Sequence, residues 1–131
     1  MSRGILDTSI VIARDDEDLT AALPTEAAIS LATLAELHYG VLVAENEETR
    51  RHRLRRLGQV EATFVPLPID EAVARAYATA AHTVKAAGGQ PRARVMDLWI
   101  AATALAHGVP VYTRNLDDFR ALTSVIDLRC V

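Results

Sequence analysis

The chain has 131 residues, which is enough for one compact domain but too few for two independent cores. Half of the residues are apolar and 24% are charged, a balance that is typical of soluble globular domains and argues against a disordered chain. The net charge of −3 argues against a protein that coats nucleic acid by bulk attraction. The only cysteine, Cys130, excludes an internal disulfide and a cysteine-based zinc site. We therefore predict a single domain over residues 1–131.

The hydropathy pattern gives no sign of a membrane protein. The first residues lack the apolar core of a signal peptide, and no run approaches the roughly 18 uncharged apolar residues of a membrane-spanning helix. We expect a cytoplasmic protein without a membrane partner.

The first half of the chain predicts alternating strands and helices. Residues 4–6 are a short apolar run that suits a buried strand, and a capped helix should start at Ser9. The acidic cluster 15–18 suits a solvated loop or the start of a short helix. The elements predicted next are a strand over 27–30, a helix over 31–45, an arginine-rich helix over 49–60 and a third strand over 63–67.

The second half continues the same alternation. Asp70 should cap an amphipathic helix that ends at Gly88, and a helix that is apolar nearly all round should end at Gly108. The other predicted elements are a fourth strand over 109–113, a short helix over 116–122 and a final strand over 125–128. This alternation predicts a three-layer α/β/α sandwich with a mainly parallel central sheet of four to five strands.

Two carboxylates interrupt the apolar faces of predicted helices. Glu36 shares its face with apolar residues at i−4, i+3 and i+7, and Asp97 heads a helix whose residues at i+3, i+4, i+7 and i+8 are apolar. An ionised carboxylate on such a face must pair, cap a helix or bind a metal, because burying it alone costs several kcal/mol. Helix capping by Asp97 and an ion pair between Glu36 and an arginine are the structural alternatives to a functional role.

A third acid, Asp7, directly follows the first predicted strand. Ligands of open α/β sheets bind beyond the carboxyl ends of the strands, so Asp7, Glu36 and Asp97 should gather at one edge of the sheet. Alone, Asp7 could equally form an Asx-turn. Clustered carboxylates repel one another unless a cation neutralises them, and ligation by oxygen alone suits Mg²⁺ or Mn²⁺. A hard divalent ion of this kind suits phosphodiester hydrolysis, because it activates water and stabilises the charge that develops at phosphorus.

Four ordered segments carry a resemblance to a known family. They are 6–9 (LDTS), 34–40 (LAELHYG), 97–104 (DLWIAATA) and 113–119 (TRNLDDF). Together they resemble the PIN-domain family, and specifically the VapC toxins of type II toxin–antitoxin modules, over nearly the whole chain.

The resemblance implies roles for individual residues. By it, Asp7, Glu36 and Asp97 match the family's metal-binding acids, and Ser9 matches its small hydroxyl residue. The last segment matches the fourth acidic region less closely, because some family members carry an acid where this chain has Asn115. Either Asp117 or Asp118 is then the expected outer ligand, with Asn115 as an orienting group.

The resemblance also implies an activity and partners. We expect a Mg²⁺-dependent endoribonuclease, with Mn²⁺ as the other possible metal, that cuts structured RNA such as tRNA or ribosomal RNA. A VapB antitoxin would hold it inactive, and homodimers are usual in the family. Tyr39, Leu42 and Val43 could supply a dimer face, although core packing would explain them equally well.

Five arginines are candidate RNA contacts, while solvated helix faces and ordinary surface positions are the alternative interpretation. They are Arg51, Arg53, Arg55, Arg94 and Arg114. Arg94 could instead meet an inhibitory partner.

Two other functions compete with the nuclease. One is a catalytically weak PIN-like module that binds RNA or an antitoxin, although the presence of all three principal acids argues against it. The other is an aspartate phosphoacceptor domain, which the chain disfavours because Lys85 is its only lysine and no Asp-x-Asp follows the first strand.

Overall fold

Four parallel strands form the centre of the molecule in the computed structural model, which describes residues 1–13, 19 and 21–131. The strands are β1 (Arg3–Leu6), β2 (Glu26–Ala28), β3 (Val111–Thr113) and β4 (Leu128–Cys130). Their order in the sheet is β2-β1-β3-β4, and every pairing is parallel. The predicted fold class, with four strands, is confirmed.

Helices cover both faces of this sheet. In chain order they are α1 (Thr8–Ala13), α2 (Leu31–Leu42), α3 (Glu47–Thr63), α4 (Glu71–Ala86) and α5 (Val95–His107). Short 3-10 helices span Pro91–Arg94, Leu116–Asp118 and Arg120–Leu122. None of the described helices is long and apolar enough to cross a membrane.

Alternation along the two central strands creates two separate cores. Ile5 of β1 and Val111 of β3 pack on one side, in a cluster with residues of α4 and α5. Their chain neighbours Leu6 and Tyr112 pack on the other side, with residues of α1, α2 and α3. Successive strand residues point to opposite faces, so a short apolar strand between two helical layers feeds both cores.

The predicted third strand over 63–67 is wrong. Thr63 is the last residue of α3, and Leu67 makes only an isolated parallel bridge to Ser30. Pro66 and Pro68 flank that bridge, and a proline cannot donate to a strand ladder. The segment therefore pairs at one residue with the chain just after β2 instead of adding a strand to the sheet.

Several other predicted boundaries shift. The helix expected to reach residue 45 ends at Leu42, because Asn46 adopts an extended backbone and its Oδ1 accepts from the Thr49 amide at 2.8 Å to begin α3. The final strand lies at Leu128–Cys130 instead of 125–128, and the predicted helix over 116–122 consists of two 3-10 helices. The acidic cluster 15–18 lies outside the described residues.

The predicted start of α4 and the predicted end of α5 are where the sequence places them. Asp70 Oδ1 accepts from the Val73 amide at 3.0 Å and caps α4. Gly108 has a φ of 64°, the left-handed conformation in which glycine ends helices, and it follows the last residue of α5. The chain then enters β3, whose far end reaches the acidic edge of the sheet.

Candidate active site

Asp7 lies at the carboxyl end of β1, where it is 4% exposed. Its amide donates to the Tyr112 carbonyl at 2.9 Å, which continues the pairing of β1 with β3 and brings Asp7 opposite Thr113. Its own carbonyl accepts from the amides of Ile10 and Val11, so the same residue ends the strand and begins α1. The helix therefore starts at Thr8, one residue before the predicted Ser9.

Two hydroxyl groups hold the Asp7 carboxylate. Its Oδ2 accepts from Ser9 Oγ at 2.7 Å and from Thr113 Oγ1 at 2.9 Å. Both hydroxyls also accept a backbone amide, Ser9 from Arg114 at 3.2 Å and Thr113 from Asn115 at 2.9 Å. These bonds fix one carboxylate oxygen and tie the loop after β3 to the start of α1.

Glu36 extends from α2 towards the same edge and is half-buried. Its Oε1 accepts from Thr8 Oγ1 at 2.7 Å, and Thr8 Oγ1 lies 3.1 Å from the buried Thr33 hydroxyl. Burial and the nearby Asp7 raise the pKa of Glu36, partly offset by the bond from Thr8. No arginine among the described residues pairs with Glu36, so the ion pair considered as an alternative is absent from this part of the chain.

Asp97 lies in the first turn of α5 but does not cap it. The N-cap residue is Arg94, and no side chain accepts a hydrogen bond there, which rules out the capping interpretation. Burial, together with repulsion from Asp7, Asp118 and Glu36, raises the pKa of Asp97 to about 6, although the nearby Arg94 partly opposes the rise. Four carboxylates from separate segments thus share one electrostatic environment.

The two aspartates of the last motif have different surroundings. Arg94 Nη1 donates to Asp118 Oδ1 at 2.7 Å and lies 3.8 Å from Asp97 Oδ2. Asp117 pairs with Arg120 instead, and its side chain is 84% exposed. The structure therefore brings Asp118, and not Asp117, beside the predicted trio.

Comparisons with known proteins identify the family. A family model described as "PIN domain" matches residues 4–124. The chain belongs to the PIN-domain family.

Within the family, this PIN domain is most informatively compared with named ribonucleases. It is 39% identical to Ribonuclease VapC5 of Mycobacterium tuberculosis over 130 residues, which cover 98% of this chain and 93% of the relative. It is also 39% identical to Ribonuclease VapC4 of that organism over 127 residues, covering 94% and 93%. A crystal structure described as a member of the VapBC family of toxin–antitoxin systems, VapBC-5, from the same species aligns over all of both chains with a TM-score of 0.86 and 38% identity. The predicted resemblance to VapC toxins is confirmed.

The donor set of this PIN domain fits a hard divalent cation. Asp7, Glu36, Asp97 and Asp118 present oxygen atoms only, and their mutual repulsion is the condition that a bound cation relieves. Among the described residues, however, no three acidic, histidine or cysteine side chains are drawn together into a ready-made metal site. An ion that keeps several waters and takes only one or two carboxylates directly, as Mg²⁺ does, matches this open arrangement.

The candidate RNA-binding arginines of the PIN domain have different surroundings. Arg51 and Arg55 are exposed one turn apart on α3, whereas Arg53 donates from Nη1 to the Gly40 carbonyl at 2.7 Å and links α3 to α2. Arg94 faces the acids, and Arg114 is exposed beside Ser9.

Sequence reasoning missed two contacts in this site. The Thr8 hydroxyl that binds Glu36 was not singled out, although it lies inside the first family-like segment. The pairing of Arg94 with Asp118 joins residues 24 apart in the chain and had no local signal.

The core-packing interpretation of the α2 surface is also wrong. Tyr39, Leu42 and Val43 are exposed, Leu42 to 82%. They form an apolar surface on the described part of the molecule.

Proposed function

We propose that this chain is a Mg²⁺-dependent endoribonuclease, the toxin of a VapBC module, that hydrolyses phosphodiester bonds in structured RNA. Its VapC relatives are named ribonucleases, and the solved relative VapBC-5 is described as a toxin–antitoxin system. The observation that carries the proposal is the convergence of Asp7, Glu36, Asp97 and Asp118 at the carboxyl edge of a parallel sheet.

Asp7, Glu36 and Asp97 would hold the metal, with Asp118 as the outer fourth acid. When bound, the ion supplies an activated water and stabilises negative charge at phosphorus. Ser9 and Thr113 keep the Asp7 carboxylate in one orientation, and Thr8 does the same for Glu36. With a pKa of about 6, Asp97 is mostly ionised at neutral pH and available to a cation.

The RNA would enter over the exposed arginines beside the site. Arg114 follows Thr113 directly, and Asn115 starts the turn that carries Asp118. Phosphate contacts from these arginines would give affinity and register on a structured substrate such as tRNA or ribosomal RNA.

Protein partners are part of the proposal. A VapB-type antitoxin would inhibit the enzyme, and a second copy of the chain would form a homodimer. The exposed apolar side chains at the end of α2, Tyr39, Leu42 and Val43, support a protein partner, because solvent contact with such a surface is unfavourable.

A cleavage assay tests the central claim. Purified chain is incubated with total RNA in Mg²⁺, in Mn²⁺ and in chelator, alongside Asp97→Asn. We expect cleavage by the wild type in either metal, loss in chelator and a fall of about 100-fold or more in the variant, since it removes one carboxylate of the metal-binding set.

Asp127→Asn is the matched control, because Asp127 is exposed and pairs with Arg129. It also lies before the amino end of β4, whereas the acids lie at the carboxyl ends of the strands. Circular dichroism confirms that each variant is folded. Equal cleavage by Asp97→Asn and the wild type, with and without chelator, would remove the metal mechanism. RNA binding without cleavage in any divalent ion would instead identify a PIN-like binding module.

A further inference from the structure

Arg94 occupies an unusual position among the arginines of this chain. It is the only basic side chain of the described residues within salt-bridge distance of Asp97 or Asp118. Its guanidinium contacts Asp118 at 2.7 Å and approaches Asp97 to 3.8 Å, so one cation serves two acids from different segments. Neither acid has another positive partner in the described structure.

The backbone around Arg94 fixes this placement. The residue ends the 3-10 helix Pro91–Arg94 and serves as the N-cap residue of α5, where its side chain makes no cap bond. Asp97 follows three residues later on the same helix, and the turn Leu116–Asp118 brings Asp118 in from the end of β3. The side chain is therefore positioned between the acids by two elements.

A neighbouring pair shows what an ordinary surface salt bridge looks like here. Arg120 pairs with Asp117 at i,i+3 spacing, both side chains are largely exposed, and no second acid takes part. Such pairs contribute little to stability because solvent screens them. Asp97, in contrast, is repelled by Asp7, Asp118 and Glu36 at once, and Arg94 is the one group that offsets that repulsion.

We propose that Arg94 is a built-in counter-ion for the acidic site, which holds Asp118 beside Asp97 in the metal-free chain and which a divalent cation must displace or outcompete. The inference rests on the proposed metal site and adds to it a residue that sets its affinity. Arg94 acts through Asp118 and Asp97 and is thus a positioning residue.

The competition has a definite sign. A cation that approaches these carboxylates is repelled by the guanidinium, and it competes with Arg94 for Asp118 Oδ1. Removing the positive charge should tighten cation binding while weakening the metal-free fold. A residue that merely packs against the site would not move these two quantities in opposite directions.

The test measures cation affinity directly. Mg²⁺ alone and Mn²⁺ alone are titrated by calorimetry into chelator-stripped wild type, Arg94→Gln, Arg94→Lys and Arg120→Gln. We expect on the order of tenfold tighter binding in Arg94→Gln, from the loss of one positive charge at close range. Arg94→Lys keeps the charge and should bind close to wild type, and Arg120→Gln should be unchanged.

Urea denaturation in chelator supplies the second measurement. Arg94→Gln should unfold at a lower urea midpoint than Arg120→Gln, because only the former leaves several acids without a counter-ion. Cation affinity in Arg94→Gln that equals or falls below the wild-type value would overturn the inference while leaving the metal site standing. If the wild type bound neither ion, both the proposed metal site and the competition with Arg94 would be overturned. If Arg94→Gln and Arg120→Gln also unfolded at the same urea midpoint, the counter-ion role in the metal-free chain would fail as well.

Discussion

The two sides of the acidic site stabilise their carboxylates by different means. On one side, neutral hydroxyls from Ser9 and Thr113 hold Asp7 in a buried position. On the other, Asp97 and Asp118 share the charge of the partly exposed Arg94. Hydrogen bonds from hydroxyls to a buried carboxylate hold its orientation at low and high salt concentration. Ion pairs that solvent can reach, in contrast, change in strength with pH and with dissolved ions. The comparison separates a rigid side of the site from an adjustable one.

The largest effect should come from breaking the rigid side. Thr113→Val keeps the shape of a fully buried residue but removes the donor to Asp7 and the acceptor of the Asn115 amide. We expect the free energy of unfolding to fall by about 2–3 kcal/mol, because one buried and one part-buried hydrogen bond lose a partner. Urea denaturation followed by circular dichroism measures the change.

Thr123→Val is the matched control for this substitution. Its hydroxyl bonds a backbone carbonyl at an exposed position, so removing it should cost less than about 0.5 kcal/mol. If the two valine variants were equally stable, the hydroxyl network would not be what holds Asp7.

The adjustable side should reveal itself through pH. Folded Asp97 keeps its proton up to about pH 6, whereas the ordinary value is 3.8, so between these values the folded chain binds more protons than the unfolded chain. Its contribution to stability is complete below the unfolded pKa and is lost as pH rises through the folded one. Asp97→Asn does not titrate there.

In chelator, Asp97→Asn should therefore gain stability over the wild type as the pH rises from about 3.5 to 7.5, by about 1–2 kcal/mol. This is less than the full shift implies, because the side chain is 25% exposed. Asp127→Asn is a control of opposite sign, since a hydrogen bond from Arg129 lowers the pKa of Asp127. A stability difference between Asp97→Asn and wild type that stayed constant with pH would contradict the raised pKa.

Sequence patterns predicted the three principal acids better than the contacts around Asp97 and Asp118. Asp7 followed from the rule that ligands bind beyond strand ends, and Glu36 and Asp97 stood out because each interrupts an apolar face. These are local signals. The position of Arg94 depends on where the turn after β3 meets the start of α5, and the choice of Asp118 over Asp117 depends on that same contact.

The wrong strand prediction and the undecided role of the apolar α2 surface also depend on contacts between distant parts of the chain. The segment 63–67 has strand-like composition, but the prolines on either side of Leu67 and the late end of α3 leave only that residue to form a bridge, to Ser30 just after β2. Tyr39, Leu42 and Val43 fit an apolar helix pattern, which shows that a face is apolar but not whether the rest of the chain covers it. Apolar periodicity predicts helices and strands, but whether an apolar face is buried depends on how those elements pack together.

The smallest expected effects concern three arginines of α3, which the sequence grouped together but which differ in how firmly the structure holds them. Arg53 is tied to the Gly40 carbonyl, so Arg53→Gln should lower the free energy of unfolding by about 1 kcal/mol. Arg51 and Arg55 are exposed, and replacing both with Gln should leave stability within about 0.5 kcal/mol of wild type.

If Arg51 and Arg55 contact RNA phosphates, the double variant should bind RNA more weakly and show a salt dependence flatter by about 1–2 in the slope of log K against log salt. Fluorescence anisotropy in the Asp97→Asn background, which we expect to cleave RNA poorly, measures this slope. An unchanged slope in the double variant would make α3 a solvated surface, and RNA would then have to reach the acids from the side of Arg114.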